Sequence, residues 1–279
     1  MGTLQSRGND KAGQVSEELL DLGPWFHNLH LPGGIQTAPN HPLGDFPAFK
    51  WQELRDALPE DLSGWRVLDI GCNAGFYSFE LAKLGAEVCG IDADPHYLRQ
   101  AHWASERLGL ADQVKFRQMQ VYELARSSER YDLVLFMGVF YHLRYPLLAL
   151  DIVAERTERM LVFQSLSMLD KRVDDQPENF GLAKREIMGQ SGWPKMAFIR
   201  RQFQSDPTNW WVPNRAGIQA MLNDVGFDIV AQPGDEMYVC ERDAELTRAS
   251  LRNPDELTAA IGHRHHVIGD DEGSGPKKN

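Results

Sequence analysis

The chain is expected to fold as an α/β protein around a doubly wound, mainly parallel seven-stranded sheet. Three observations point there. Short apolar runs alternate with helix-length segments from Trp65 onward. One of these runs, Val67-Leu68-Asp69-Ile70, breaks into Gly71-Cys72-Asn73-Ala74-Gly75 just before a helical stretch. An acid, Asp92, closes the next apolar run, about 20 residues after the glycine turn, where a strand-end carboxylate can meet a ribose. Alternation at this spacing buries a parallel sheet under helices on both faces.

The elements follow in order. Residues 1–22 are polar and mixed, and read as a flexible tail. Residues 23–48 are rich in proline and glycine yet carry Trp25, Phe26, Leu29, Leu31 and Phe46, so an ordered loop is expected. Lys50–Leu58 reads as a short helix stopped by Pro59. WRVLDIG is the first strand, Phe76–Leu84 a helix closed by Gly85, and AEVCGIDAD the second strand. Pro95 suits the first turn of a helix that runs to Leu108–Gly109. VKFRQMQ, YDLVLFMG and MLVFQSL are the third, fourth and fifth strands, with a helix over Pro146–Arg159 before the last of them. Residues 165–212 break the alternation with polar, turn-rich sequence and scattered tryptophans, the signature of a substrate lid. Pro213–Val225 is helical, stopped by Gly226, and FDIVAQP with EMYVCER closes the sheet. The domain thus spans 23–242, and the charged tail 243–279 is expected to be disordered.

Composition narrows the function classes. The chain has 279 residues and a net charge of −11, so its overall field does not steer it to phosphate backbones. No run reaches the roughly 18 apolar residues of a membrane span, and the N-terminal stretch lacks the apolar core of a secretory signal. The three widely spaced cysteines fit neither a disulfide framework nor a zinc site. A reduced, cytoplasmic setting is the expectation. His263, His265 and His266 lie close together but lack metal-site spacing, and His27 and His30 have no carboxylate or cysteine nearby in sequence to complete a ligand set, so no metal is expected.

The glycine turn admits two readings. A dinucleotide site wants G-x-G-x-x-G, with helix amides facing a pyrophosphate. Here an acid, Asp69, stands two residues before the first glycine. It would repel a pyrophosphate and suits a cation such as the ammonium and sulfonium of S-adenosylmethionine (SAM). In VLDIGCNAG, GIDAD and YDLVLFMG the sequence resembles the class I SAM-dependent methyltransferases, over about residues 62–164 and the closing strands. The resemblance implies a Rossmann-like fold, SAM as cofactor, and cofactor contacts at Asp69, Gly71, Cys72, Asn73, Gly75, Asp92, Ala93 and Met137. Adenine is expected against the end of the third strand, with Gln118, Met119, Gln120 and Val121 as candidates and Gln120 reading its amino group. Asp94 reads instead as a helix start.

A narrower resemblance lies in Met137-Gly138-Val139-Phe140-Tyr141-His142, followed by Arg144 and Pro146. This segment is similar to one in the tRNA wobble-uridine carboxymethyltransferases, as are Pro24-Trp25, Lys50-Trp51 and VPNRAGIQAMLNDVGFDIV. That family uses carboxy-SAM, its extra carboxylate held by cationic side chains and a tyrosine, for which Tyr141 fits. The family's lysine after the Pro-Trp pair is absent, the stretch here being Phe26-His27-Asn28-Leu29. Its arginine at the start of the final strand is replaced by Asp235-Glu236-Met237. A carboxylate facing a carboxylate in a partly dry site costs several kcal/mol by order of magnitude. Plain SAM and a methyl group are therefore expected, with a small, anionic or sugar-containing acceptor rather than tRNA.

His142 is the candidate general base, since a neutral imidazole takes a proton near pH 7; the alternative is that it packs the following helix. Tyr141 either bonds the acceptor or packs on the cofactor. Arg144 either reads an anionic acceptor or is solvated. Trp25 and Trp51 are expected to wall the acceptor site or to pack beneath it. A SAM-sensing module without catalysis would keep Asp69, Gly71, Gly75 and Asp92 but lack an acceptor pocket. An NAD-dependent dehydrogenase is disfavoured by the loop.

Overall fold

The computed structural model describes residues 17–249 and 254–262. Residues 17–21 are helical, and a two-stranded hairpin pairs His30–Leu31 with Ile35–Gln36 in the proline-rich loop. The main elements then run α1 (Ala48–Arg55), β1 (Arg66–Ile70), α2 (Phe76–Lys83), β2 (Glu87–Asp92), α3 (Pro95–Leu108), β3 (Val114–Gln118), β4 (Tyr131–Met137), α4 (Pro146–Arg156), β5 (Thr157–Gln164), α5 (Arg215–Asp224), β6 (Phe227–Gly234), β7 (Met237–Arg242), α6 (Ala244–Ala249) and α7 (Pro254–Ile261).

The seven strands stand in the order β6-β7-β5-β4-β1-β2-β3. Neighbours from β5 to β3 are parallel. β7 is antiparallel to both β5 and β6 and sits between them. Its last residue ties the wedge down: the Arg242 guanidinium donates to Thr157 O at 3.0 and 2.7 Å and to Ala154 O, and lies over the Phe227 ring. The doubly wound expectation holds, and the seven expected strands are the seven observed.

The alternation of β4 shows how the layers form. Leu133 and Leu135 point into one core with Trp51, Leu54, Phe79, Leu98 and Ala101, from α1, α2 and α3. Val134 and Phe136 point into the other, with Leu150, Val153, Ile218 and Leu222 from α4 and α5. Leu133, Val134, Leu135 and Phe136 have no exposed surface, and each such burial contributes about 1.5–3 kcal/mol. The strands read as unbroken apolar runs because both faces are covered.

Boundaries moved where side-chain bonds override the pattern. α4 ends at Arg156, not Arg159, because Thr157 donates its hydroxyl back to Val153 O at 2.8 Å and begins β5. α5 starts at Arg215, where buried Asn214 accepts from Gly217 N at 2.8 Å. The stretch after 242 was expected to be unstructured, but Ala244–Ala249 and Pro254–Ile261 are helical. Asp243 caps the first, accepting from the Glu245 and Leu246 amides. His263, His265 and His266, and most of the expected N-terminal tail, lie outside the described residues. The insertion holds a 3₁₀ segment, Leu182–Gly189, and an antiparallel pair, Met196–Phe198 with Trp211–Pro213. No helix of the described residues is long and apolar enough to cross a membrane.

Candidate functional site

The turn after β1 lies at the carboxyl ends of the parallel strands, where open α/β sheets place their ligands. Gly71 has φ +71, and a Cβ there would stand 2.4 Å from Val139 Cγ2, in the segment after β4. The Gly71 and Cys72 amides both donate to Ile91 O, at 2.8 and 3.0 Å, locking the turn to β2. Cys72 therefore has no amide to offer a ligand, and its thiol is buried, so it holds the loop together. Asn73 is left-handed at φ +50. Its amide donates to Asp92 Oδ2 at 2.9 Å, and its side-chain oxygen accepts from Ala74 N at 2.7 Å. Gly75, at φ +89, starts α2; a Cβ there would meet the Phe79 and Phe116 rings at 2.8 and 2.9 Å.

Two carboxylates flank this turn. Asp69 is buried, and its Oδ2 accepts from the Ser78 hydroxyl at 2.6 Å. Burial, with the charge of Asp92 adding to it, pushes the Asp69 carboxyl up to about 6, although the Ser78 bond works the other way. Asp92 is half-buried at the end of β2 and is also raised by burial. Its oxygens accept from the Asp94 and Asn73 amides, at 2.9 Å each. Among the described residues neither carboxylate forms an ion pair with a lysine, arginine or histidine. Asp94 caps α3 as expected, accepting from His96 N at 2.8 Å.

The third-strand expectation needs correction. Gln120 stands at the N-cap of the 3₁₀ segment Val121–Arg126: the Glu123 amide donates to Gln120 O at 2.9 Å, and Glu123 Oε2 accepts from Gln120 N at 2.8 Å. Gln120 thus opens the 3₁₀ segment instead of ending the third strand, and it is exposed. Val121 is buried core, Met119 is half-buried, and Gln118 lies on Ala93, donating to its carbonyl at 3.3 Å.

β4 delivers the second half of the site. Met137 is half-exposed at its end, and Gly138, at φ +71, donates to Gln164 O on β5 at 3.1 Å. The Tyr141 and His142 rings lie 4.2 Å apart. The Tyr141 hydroxyl is pushed up to about 12 by burial and by the charges of Glu236 and Asp206, so it stays a neutral donor. The insertion docks here: Trp210 N donates to Tyr141 O at 2.8 Å, and His142 Nδ1 lies 2.9 Å from Thr208 Oγ1. Burial lowers the His142 imidazole, with Asp206 opposing. Arg144 is exposed, its guanidinium 5.1 Å from both the Phe198 and Trp210 rings, which makes it a clamp on the insertion.

A cleft of about 320 Å³ opens beside this segment, lined in part by Lys50, Glu53, Gln164, Ser167, Arg215 and Glu236. Glu236 accepts from Ser167 N at 2.9 Å and from Gln164 Nε2 at 3.5 Å. Burial lowers the Lys50 ammonium, with Glu236 and Glu53 raising it. The described residues contain no group of three or more His, Cys, Asp or Glu side chains that could hold a metal ion.

The sequence profile of a family described as "Methyltransferase domain" matches residues 61–202, half of the chain, and those residues hold the glycine turn, both carboxylates and the Tyr141-His142 pair. The chain belongs to this methyltransferase-domain family. A ubiquinone biosynthesis O-methyltransferase from Cereibacter sphaeroides is 36% identical over 127 residues, 46% of this chain and 49% of that protein. A tRNA U34 carboxymethyltransferase from Cellvibrio japonicus is 30% identical over 150 residues, 52% of this chain and 43% of that protein. The chain spans about half the length of the curated relatives it matches. Among solved structures, the N-terminal domain of EvdMO1, in the presence of SAH and D-fucose, superposes with a TM-score of 0.55 at 21% identity. That match covers 82% of this chain and 94% of the other, and it bears on fold alone.

In this methyltransferase-domain chain neither Trp25 nor Trp51 lines that cleft. Trp25 packs on Trp103 of α3 at 5.6 Å and donates to Leu19 O at 2.9 Å; Trp51 is buried against Tyr77 at 6.4 Å. The proline-rich loop instead brings in His27, fully buried among Phe46, Phe76 and Tyr77. Desolvation holds its imidazole down at about 3. Sequence reasoning missed Gln164, Thr208 and Asp206 as site residues. Only Gln164 left a signal, as a polar residue ending an apolar strand.

Proposed function

We propose that this chain binds SAM and moves its methyl group to a small-molecule acceptor bearing an O–H or N–H group, with His142 as general base. The observation that carries the reading is the pair of desolvated carboxylates, Asp69 and Asp92, around the glycine turn without a cationic partner among the described residues. A buried anion is costly until a cation or hydrogen-bond donors meet it. SAM supplies both, as an ammonium and two ribose hydroxyls, and when bound it presents an electrophilic methyl on a sulfonium.

Each residue then has a role. Asp69 holds the ammonium, and Asp92 accepts from the ribose hydroxyls. Gly71 and Gly75 keep the turn free of Cβ atoms. Tyr141 donates its hydroxyl beside Gly138, next to Gln164, and Gln164 and Lys50 orient the acceptor from the cleft. His142 takes the acceptor's proton, its lowered affinity keeping it neutral near pH 7. Holding the acceptor in line supplies most of the acceleration expected of such a site. Curated relatives named as O-methyltransferases support an oxygen acceptor. Glu236 faces Tyr141 electrostatically and disfavours a carboxylated cofactor.

The test is isothermal titration of the purified chain with SAM, S-adenosylhomocysteine and NAD, beside mass spectrometry of molecules released on denaturation. SAM binding that is lost in Asp69→Asn supports the reading. No heat with SAM, or heat with NAD, overturns it. Release of carboxy-SAM would make wobble uridine of tRNA the first acceptor to try. SAM binding without transfer to any screened acceptor would turn the reading to a non-catalytic sensor.

A further inference from the structure

The insertion does more than line one side of the cleft. At its tip Phe203 and Asp206 exchange backbone hydrogen bonds of 3.2 and 3.0 Å across Gln204 and Ser205. Both central residues are left-handed, at φ +54 and +62. Non-glycine residues in that region cost about 1–2 kcal/mol each, and neither has the side chain that most tolerates it. The turn is nevertheless held: buried Asn209 donates to Phe203 O at 2.9 Å, and Trp210 N donates to Tyr141 O.

This turn presents Asp206 to a chain of bonds with a readable direction. The Thr208 hydroxyl donates to Asp206 Oδ1 at 2.6 Å, and the Thr208 amide donates to the same oxygen at 2.7 Å. A hydroxyl has one proton, and here it is committed to the carboxylate. The 2.9 Å contact between Thr208 Oγ1 and His142 Nδ1 must therefore run the other way, with Nδ1–H donating. Asp206 Oδ2 stands 3.6 Å from the same nitrogen. Nε2 carries no hydrogen bond to a described protein group.

We propose that Thr208 and Asp206 are positioning residues for His142, fixing its imidazole as the Nδ1–H form and leaving the Nε2 lone pair to take the acceptor's proton. This rests on His142 being the base of the proposed methyl transfer. The arrangement makes the base competent only while the insertion is seated, because both partners arrive on it. After proton uptake both ring nitrogens are donors; Thr208 and Asp206 retain the one at Nδ1, so the proton lost to solvent is the one gained at Nε2. Asp206 is the charge facing the ring, and the neutral Tyr141 ring packs beside it.

The test is long-range proton–nitrogen correlation spectroscopy on the full nitrogen-15-labelled chain, with His142→Gln identifying the resonances. At alkaline pH the wild type should show Nδ1–H, whereas free imidazole side chains favour Nε2–H. Thr208→Val should move the proton to Nε2, and Thr208→Ser should restore Nδ1–H. Asp206→Asn should keep the tautomer but lower the His142 titration midpoint by about one pH unit. An Nε2–H signal in the wild type, or no change of tautomer in Thr208→Val, overturns the proposal. If Thr208→Val does not fold, the wild-type tautomer and the Asp206→Asn midpoint decide. SAM titrated into the same wild-type sample separates the two readings. Absent SAM binding with Nδ1–H intact defeats the cofactor reading, and bound SAM with Nε2–H defeats the relay.

Discussion

Replacing Asp69 by asparagine should stabilise the ligand-free protein while disabling it. Burial holds the Asp69 carboxyl at about 6, against the ordinary 3.8, with Asp92 adding to the effect. The unfolded chain gives up this proton near 3.8 and the folded chain near 6. Between those values the folded state binds more protons than the unfolded one, so stability falls as pH rises, and above about 6 the loss is complete. At roughly 1.36 kcal/mol per pH unit, the ionised carboxylate costs about 3 kcal/mol at neutral and alkaline pH. Asparagine keeps an acceptor for the Ser78 hydroxyl and carries no charge. Urea unfolding at about pH 8 should therefore find the variant more stable than wild type by about 2–3 kcal/mol, and the gain should shrink towards zero near pH 4. SAM affinity should fall by roughly 10- to 100-fold, the loss expected on removing a charged partner. A variant no more stable at pH 8, or a gain of equal size at both pH values, would refute the claim that this carboxylate is held ionised at a cost.

Gly71→Ala should lower the melting temperature, because the new Cβ falls 2.4 Å from Val139 Cγ2 at φ +71; overpacking of this kind costs about 1–3 kcal/mol, and an unchanged melting curve would contradict it. Asp92→Asn should weaken binding of S-adenosylhomocysteine about tenfold or more through its ribose, read by calorimetry, and equal affinity would remove Asp92 from the site. Glu236→Gln should narrow the preference for SAM over carboxy-SAM in a competition titration; a preference for carboxy-SAM already in the wild type would reverse the electrostatic argument. His27 should remain neutral down to about 3, so a His27 resonance that titrates near pH 6 would show that the proline-rich loop is not packed as described.

The sheet was legible because buried parallel strands are written as apolar runs punctuated by glycine, and the two acids stood out as charges within or ending such runs. Asp69 and Asp92 are where the sequence placed them. Gln120 was placed at the end of the third strand although a capping signal was present: Gln120 and Glu123 have the spacing of a helix cap, and β3 ends at Gln118. Trp25 and Trp51 could not be separated from acceptor walls by composition, since only tertiary packing shows what a tryptophan covers. Thr208 and Asp206 were illegible for a different reason. They meet His142 across a sequence separation of 66 and 64 residues, through an insertion with no periodicity, by a turn built from two residues that turn statistics do not favour. The helices after residue 242 were hidden by their charge, though Asp243 and Pro254 both mark helix starts.

The wedge strand sets an order of events during synthesis. β5, with its apolar row of Leu161, Val162 and Phe163, has no neighbour on one side until the residues of β7 exist, and β6, made first, has nowhere in the sheet to go without them. A nascent chain that has emerged only to Gly226 therefore carries the whole glycine turn and an open apolar flank. The ribosome releases the glycine turn early and the strand that closes the sheet late. Through the interval between β5 and Arg242 that flank has no partner strand.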